Sequence, residues 1–223
     1  MTPKQEIVQI IQKMSGRYSG HQIFTDWVTC SAIAICNRCT LFEDDVFKQR
    51  ESEYATIMSK YTEDERNRIA EMFALLVKAY EEEFGDVLGE IYMEAELGSK
   101  QTGQFFTPYH VSELCAKLAT EDSILPPDDE MTVLNLYEPT CGSGGMIIAA
   151  AARMQRAGIN YQKRFRVVAQ DLDWRCVYMC YVQLSLLGID AVVVQGDTLS
   201  EPYRKGYDRR RVLYTPRRAG CLI

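Results

Sequence analysis

Apolar positions in the first hundred residues recur at helical spacing. Ile23, Trp27, Ile33 and Ile35 form one series, and Ile69, Met72, Phe73, Leu76 and Val77 form a second. Pro3 is the only proline before residue 98, so little in this stretch would break a helix. Thr62 followed by Glu63-Asp64-Glu65 is a cap with acids in the first turn, a favourable start for the second series. Asp86-Val-Leu-Gly-Glu-Ile-Tyr-Met-Glu-Ala-Glu-Leu97 runs to Gly98, where a helix C-terminus is expected. The pattern predicts an all-helical domain over residues 1–98.

The periodicity changes after Gly98-Ser-Lys-Gln-Thr-Gly-Gln-Phe-Phe-Thr-Pro108. A helix is predicted over 111–119, then a Pro-Pro-Asp-Asp loop. Three strand-like runs follow: Thr132–Tyr137, Phe165–Gln170 and Ala191–Gln195. Helical stretches at Met146–Arg156 and Trp174–Leu187 separate them. Strands alternating with helices of this length predict βαβ units and a parallel sheet, placing an α/β domain over residues 99–223. The predicted fold class is therefore α/β, with an N-terminal helical domain ahead of a short domain built on a parallel sheet.

At 223 residues the chain is long enough to bury a core without disulfide or metal staples. No apolar run approaches the ~18 residues of a membrane span, and the N-terminus lacks a basic-then-apolar leader pattern. A cytoplasmic protein with no membrane association is expected, its eight cysteines reduced. Cys36 and Cys39 form a C-x-x-C with Cys30 nearby, but a structural zinc site needs a second such pair. Packed thiols are the simpler reading, no metal site is expected, and Cys176 and Cys180 fall on one helix face as core residues. Only His21 and His110 are available, too few for His-rich metal chemistry.

The net charge of −6 is uneven. Residues 201–223 carry seven basic residues against Glu201 and Asp208, which leaves the remainder at −11. An acidic bulk opposes unaided DNA binding, which depends on neutralising phosphates. A solvated basic terminus is expected at the C-terminal end.

The strongest candidate site is Glu138-Pro-Thr-Cys-Gly-Ser-Gly-Gly145, where the first strand meets a helix. Ligands of open α/β sheets bind at that edge. Glycines allow close backbone approach, and a helix N-terminus favours an anionic group. A dinucleotide fingerprint fails at Ile147, and a P-loop fails for want of Gly-Lys-Ser/Thr. A Gly-x-Ser-x-Gly elbow fails because Cys141 takes the first glycine position. The loop suits a nucleoside-type cofactor with a small anionic group, the plain alternative being a tight turn. Asp171 closes the second strand, where an acid can accept ribose hydroxyls, and Asp197 follows the third, where it could accept an adenine amino group. Either could instead be a strand-end turn or a helix cap.

These residues resemble the modification subunits of type I restriction systems, the N6-adenine DNA methyltransferases that use S-adenosylmethionine. Gly103-Gln-Phe-Phe-Thr-Pro108 is similar to their Gly-Gln-Phe/Tyr-x-Thr-Pro segment, and Glu138–Gly145 to their (Asp/Glu)-Pro-x-x-Gly-(Ser/Thr)-Gly-Gly loop. Ala169-Gln-Asp-Leu-Asp173, Leu184-Ser-Leu-Leu-Gly-Ile189 and Asp86-Val-Leu-Gly-Glu-Ile-Tyr92 also resemble segments of that family. The likeness runs from about residue 86 to residue 199.

The resemblance implies that Gln104, Phe105 and Thr107, with Pro108 of the same segment, close over the methionine part of the cofactor. It implies that Glu138, Thr140, Gly142, Ser143, Gly144 and Gly145 approach its amino and carboxylate groups. Asp171 would hold the ribose, Leu172 the adenine face, and Asp197 with Thr198 the adenine amine. It further implies a shortened Rossmann-like methyltransferase domain after the helical one, and DNA as substrate, reached through partner subunits for specificity or restriction.

One departure matters. The family holds its target adenine with (Asn/Asp/Ser)-Pro-Pro-(Tyr/Phe) after a fourth strand, and no such tetrapeptide occurs in this sequence. The corresponding place has Arg211-Val-Leu-Tyr-Thr-Pro-Arg-Arg218. The cofactor half is present and the catalytic half is not, so no catalytic residue is assigned. Two further readings stay open: an inactive cofactor-binding regulator or assembly subunit, and a methyltransferase acting on a non-DNA substrate.

Overall fold

The computed structural model describes residues 1–40, 42–95, 106–119 and 132–221. Five helices form the first part: α1 (Pro3–Met14), α2 (Gly20–Arg38), α3 (Asp45–Met58), α4 (Glu63–Glu82) and α5 (Val87–Glu94). Thr2 and Thr62 each close a capping box, with Gln5 and Glu65. The buried face of α4 is Ile69, Met72, Leu76 and Ala79. Val77, predicted on that face, is 37% exposed because it follows Leu76 by one residue and so points about 100° away. Helix α2 is buried on most sides, with Ile23, Phe24, Trp27, Val28 and Ile33 inside, because α1, α3 and a later helix over Trp174–Leu186 all pack on it. The predicted ending of α5 at Leu97–Gly98, and with it the domain boundary, lies outside the described residues.

Helix α6 (Tyr109–Ala119) packs along α7 (Gly145–Arg156), which follows strand β1 (Leu134–Glu138). The short helix α8 (Tyr161–Arg164) leads into β2 (Phe165–Asp171), and α9 (Trp174–Leu186) crosses to β3 (Asp190–Gln195). The sheet order is β1-β2-β3-β4, with the first three strands parallel. Two βαβ units with covering helices make this part Rossmann-like.

Strand β4 (Val212–Tyr214) departs from the predicted parallel sheet, pairing antiparallel with β3 ahead of the short helix α10 (Pro216–Ala219). Residues 196–211 contain only a single 3-10 turn, Arg209–Arg211, and no helix to carry a parallel crossover. Gln170 fixes this connection. Its buried amide accepts the Tyr203 N–H (3.0 Å) and the Tyr137 hydroxyl (3.0 Å), and donates to the Glu201 carbonyl (2.9 Å). Tyr203 and Tyr207 then pack on Val168, Val192, Val194 and Val212 as a small second core.

The main core runs without interruption from Ile7, Trp27 and Met72 through Leu88 and Ile91 to Ile147, Cys180 and Val193. Cys176 lies in the same core. Helix α9 forms the bridge, touching α2 and α5 on one side and β2 and β3 on the other. The basic C-terminal segment is less free than its composition suggests. Arg209 pairs with Asp44 (2.7 Å), Arg210 with Asp208 (2.8 Å), Arg211 with Glu201 (2.9 Å) and Arg218 with Asp190 (3.3 Å). No helix among the described residues is long and apolar enough to cross a membrane.

Candidate cofactor site

The three parallel strands end on one edge, and most of the sequence-predicted site residues meet there. Glu138 closes β1, Asp171 closes β2, and Asp197 lies two residues beyond β3. Backbone contacts knit the three ends together. The Gly142 amide donates to Asp171 Oδ2 (2.9 Å), and the Asp173 amide to Asp171 Oδ1 (3.0 Å). The Cys141 amide donates to the Gln170 carbonyl (2.9 Å) and the Gly196 amide to the Asp171 carbonyl (2.8 Å). The Thr198 hydroxyl reaches the Pro139 carbonyl (2.5 Å).

The glycines have a conformational reason. Gly142 and Gly144 sit at φ 52° and 99°, a region that L side chains rarely adopt. A Cβ on Gly144 would also stand 3.2 Å from Cys180 Sγ. Gly144 opens α7, and no described side chain caps that helix start. Phe106, buried beside Gly142 and edge-on to Tyr92 (5.1 Å), forms a wall that sequence reasoning did not single out.

The edge is acid-rich. Burial pushes the Glu138 carboxyl above its usual range, the Thr140 amide draws it partly back, and the Asp171 carboxylate adds to the rise. Asp197 is exposed and accepts the Leu199 amide (2.9 Å), which holds its carboxyl low. It serves the structural role of a turn cap. Leu172 is 66% exposed next to Asp171, a bare apolar side chain at the rim. Thr107 and Pro108 are exposed on the lead into α6, whereas Gln104 and Phe105 lie outside the described residues. A separate cleft of about 920 Å³ opens between α2, α3 and the start of α9, and none of the predicted site residues line it.

Behind the glycine loop lies a buried network of which the sequence singled out only Ser143 as a site residue. Asp86, at the start of α5, accepts the Ser143 hydroxyl (2.5 Å), Gln183 Nε2 (2.8 Å) and the Gly89 amide (3.0 Å). Gln183 also donates to the Ser143 carbonyl (2.6 Å) and accepts the Leu88 amide (2.9 Å) and the Tyr80 hydroxyl. The one available signal was Gln183 itself, a polar residue inside the apolar run Cys176–Leu184.

A helical layer joined to a Rossmann-like unit, with a glycine loop and strand-end acids at the carboxyl edge, defines a nucleoside-cofactor class of protein. Residues 81–214 match the N-6 DNA Methylase family, and the chain belongs to it. It is 23% identical over 168 residues to the type I restriction enzyme MpnII methylase subunit of Mycoplasma pneumoniae. That alignment covers 72% of this chain and 29% of the relative, so the chain spans under a third of that protein. It also resembles the crystal structure of the type I restriction-modification methyltransferase subunit from Streptococcus thermophilus. The identity there is 19%, with 88% of this chain and 43% of that one covered, at a TM-score of 0.48. Family membership implies S-adenosylmethionine as the cofactor.

Proposed function

We propose that this chain is the cofactor-binding part of an adenine-specific N6 DNA methyltransferase of a restriction-modification system. One observation carries the reading: the glycine loop and the β2-end acid meet at the carboxyl edge, joined by the 2.9 Å bond from the Gly142 amide to Asp171. Asp171 keeps lone pairs for ribose hydroxyls, and exposed Leu172 offers a flat apolar contact for adenine. Asp197 and Thr198 take the adenine amine. Glu138, Thr140 and Gly142–Gly145 receive the methionine end, where a cationic centre is favoured by the surrounding carboxylates. Gln104, Phe105, Thr107 and Pro108 cover that end. When bound, the cofactor's sulfonium supplies a methyl group for direct displacement by adenine N6.

On this reading residues 1–98 and 99–223 are the two units of a cytoplasmic protein. DNA is reached through specificity or restriction subunits, because the acidic bulk of the chain does not attract it unaided. The missing Pro-Pro-aromatic tetrapeptide favours a second reading, a non-catalytic cofactor-binding subunit. Calorimetry with S-adenosylmethionine, NAD and ATP tests the cofactor assignment, and repetition with duplex DNA tests the substrate. Saturable binding of S-adenosylmethionine alone is expected. Preference for NAD or ATP would overturn the reading.

A further inference from the structure

Asp86 belongs to the helical part of the chain, yet its carboxylate bonds the glycine loop at 2.5 Å through Ser143, closer than Asp171 at 2.9 Å or Glu138 at 3.3 Å. It is buried (2% exposed), and the polar atoms it bonds to are all neutral donors. Two helix starts converge on it. It caps α5 through the Gly89 amide, and a Cβ placed on Gly145, the first residue of α7, would lie 2.9 Å from its Oδ2. The positive ends of two helices offset part of the burial of this charge. On Gly89 itself a Cβ would stand 2.3 Å from the carboxylate, so both glycines make room for Asp86.

Gln183 completes the fixture. Both its donors and its acceptor oxygen are engaged, two bonds on each side, so its orientation is unambiguous. Ser143 is gripped twice, by its hydroxyl to Asp86 and by its carbonyl to Gln183. The loop is thus held from opposite sides, at Gly142 by Asp171 and at Ser143 by a carboxylate from the helical part.

We propose that Asp86, with Gln183, is a positioning residue that holds the Thr140–Gly145 loop in its ligand-ready shape, so that cofactor affinity depends on the docked helical part. This rests on the cofactor reading above for its ligand, but the loop's shape can be measured without any ligand.

The test uses the full chain and two readouts: hydrogen exchange over residues 139–147, and calorimetric affinity for S-adenosylmethionine. Asp86→Ala should speed loop exchange and weaken binding, each by about tenfold or more, as expected when a charge-assisted hydrogen bond is lost. Asp86→Asn should restore both, because its amide can donate to Ser143 Oγ while Oδ1 keeps Gln183 and Gly89. Met72→Ala, a core change in α4, should lower stability while leaving loop exchange and affinity near wild type. Should Asp86→Ala not fold, Ser143→Ala removes the same bond from the loop side and should shift both readouts in the same direction. Unchanged loop exchange in these variants, or equal loosening by Met72→Ala, overturns the inference. If the wild-type chain binds no S-adenosylmethionine, the cofactor reading falls and the exchange data alone decide the role of Asp86.

Discussion

Replacing Asp171 by alanine removes the acceptor of two backbone amides, Gly142 at 2.9 Å and Asp173 at 3.0 Å. The first donor belongs to the glycine loop and the second opens the turn into α9, so both strand ends loosen together. A hydrogen bond to a charged group is worth about 1.5–3 kcal/mol. The two share one partly exposed carboxylate, and water can replace it at either amide, so the same range is taken for the pair. Asp171→Ala should therefore lower unfolding free energy by about 1.5–3 kcal/mol in urea titrations. Its loss as a ribose acceptor should weaken S-adenosylmethionine by about ten- to 150-fold, the same range expressed as affinity. Calorimetry at a temperature where the variant remains folded separates the two effects. Wild-type affinity in a folded Asp171→Ala protein would refute the ribose assignment. Wild-type stability would refute the account of how the loop is held.

Further outcomes are expected. Gly144→Ala forces a side chain into the left-handed region beside Cys180 and should cost about 1–2 kcal/mol of stability, read by thermal or urea unfolding. The chain alone should transfer little or no labelled methyl to unmethylated duplex DNA; robust N6-methyladenine formation lost in Asp197→Ala would show that another segment replaces the missing tetrapeptide. Burial holds the Asp86 carboxyl above its ordinary range, with Ser143, Gln183 and the Gly89 amide drawing it partly back. A raised carboxyl favours the folded state most at pH below the ordinary aspartate range, and that advantage is lost as pH rises through the folded value. Asp86→Asn should thus gain stability relative to wild type as pH increases across that window, and a constant difference in urea titrations would refute the sign.

The glycine loop and the strand-end acids were legible because their chemistry is local. Short apolar runs closed by Glu138, Asp171 and Asp197 give the strand ends, and the parallel pairing of β1, β2 and β3 puts them on one edge. Strand β4 was not legible, since Val212–Tyr214 is too short to show an alternating period and nothing local marks its antiparallel pairing with β3. The Asp86 network left no mark beyond Gln183 inside an apolar run, for a different reason. Gln183 is 97 residues from Asp86 and 40 from Ser143, and neither spacing leaves a periodic trace. Asp86 stood at the head of a segment read as a helix and noted for its resemblance, with nothing to mark it as a site residue. Phe106 likewise reads as one of two adjacent phenylalanines until Tyr92 and Gly142 are seen against it.

Because the core runs unbroken through α9, the helical and sheet parts are expected to fold as one cooperative unit rather than to divide near residue 98. Cutting there would strand Asp86 and Leu88 on one fragment and Ser143 and Gln183 on the other, each with buried polar groups and no partner. The same cut would strip α2 from α9 and bare the apolar surfaces of both. Heating should accordingly melt the helical and sheet parts in a single calorimetric transition, with neither half persisting as a folded remnant of the other.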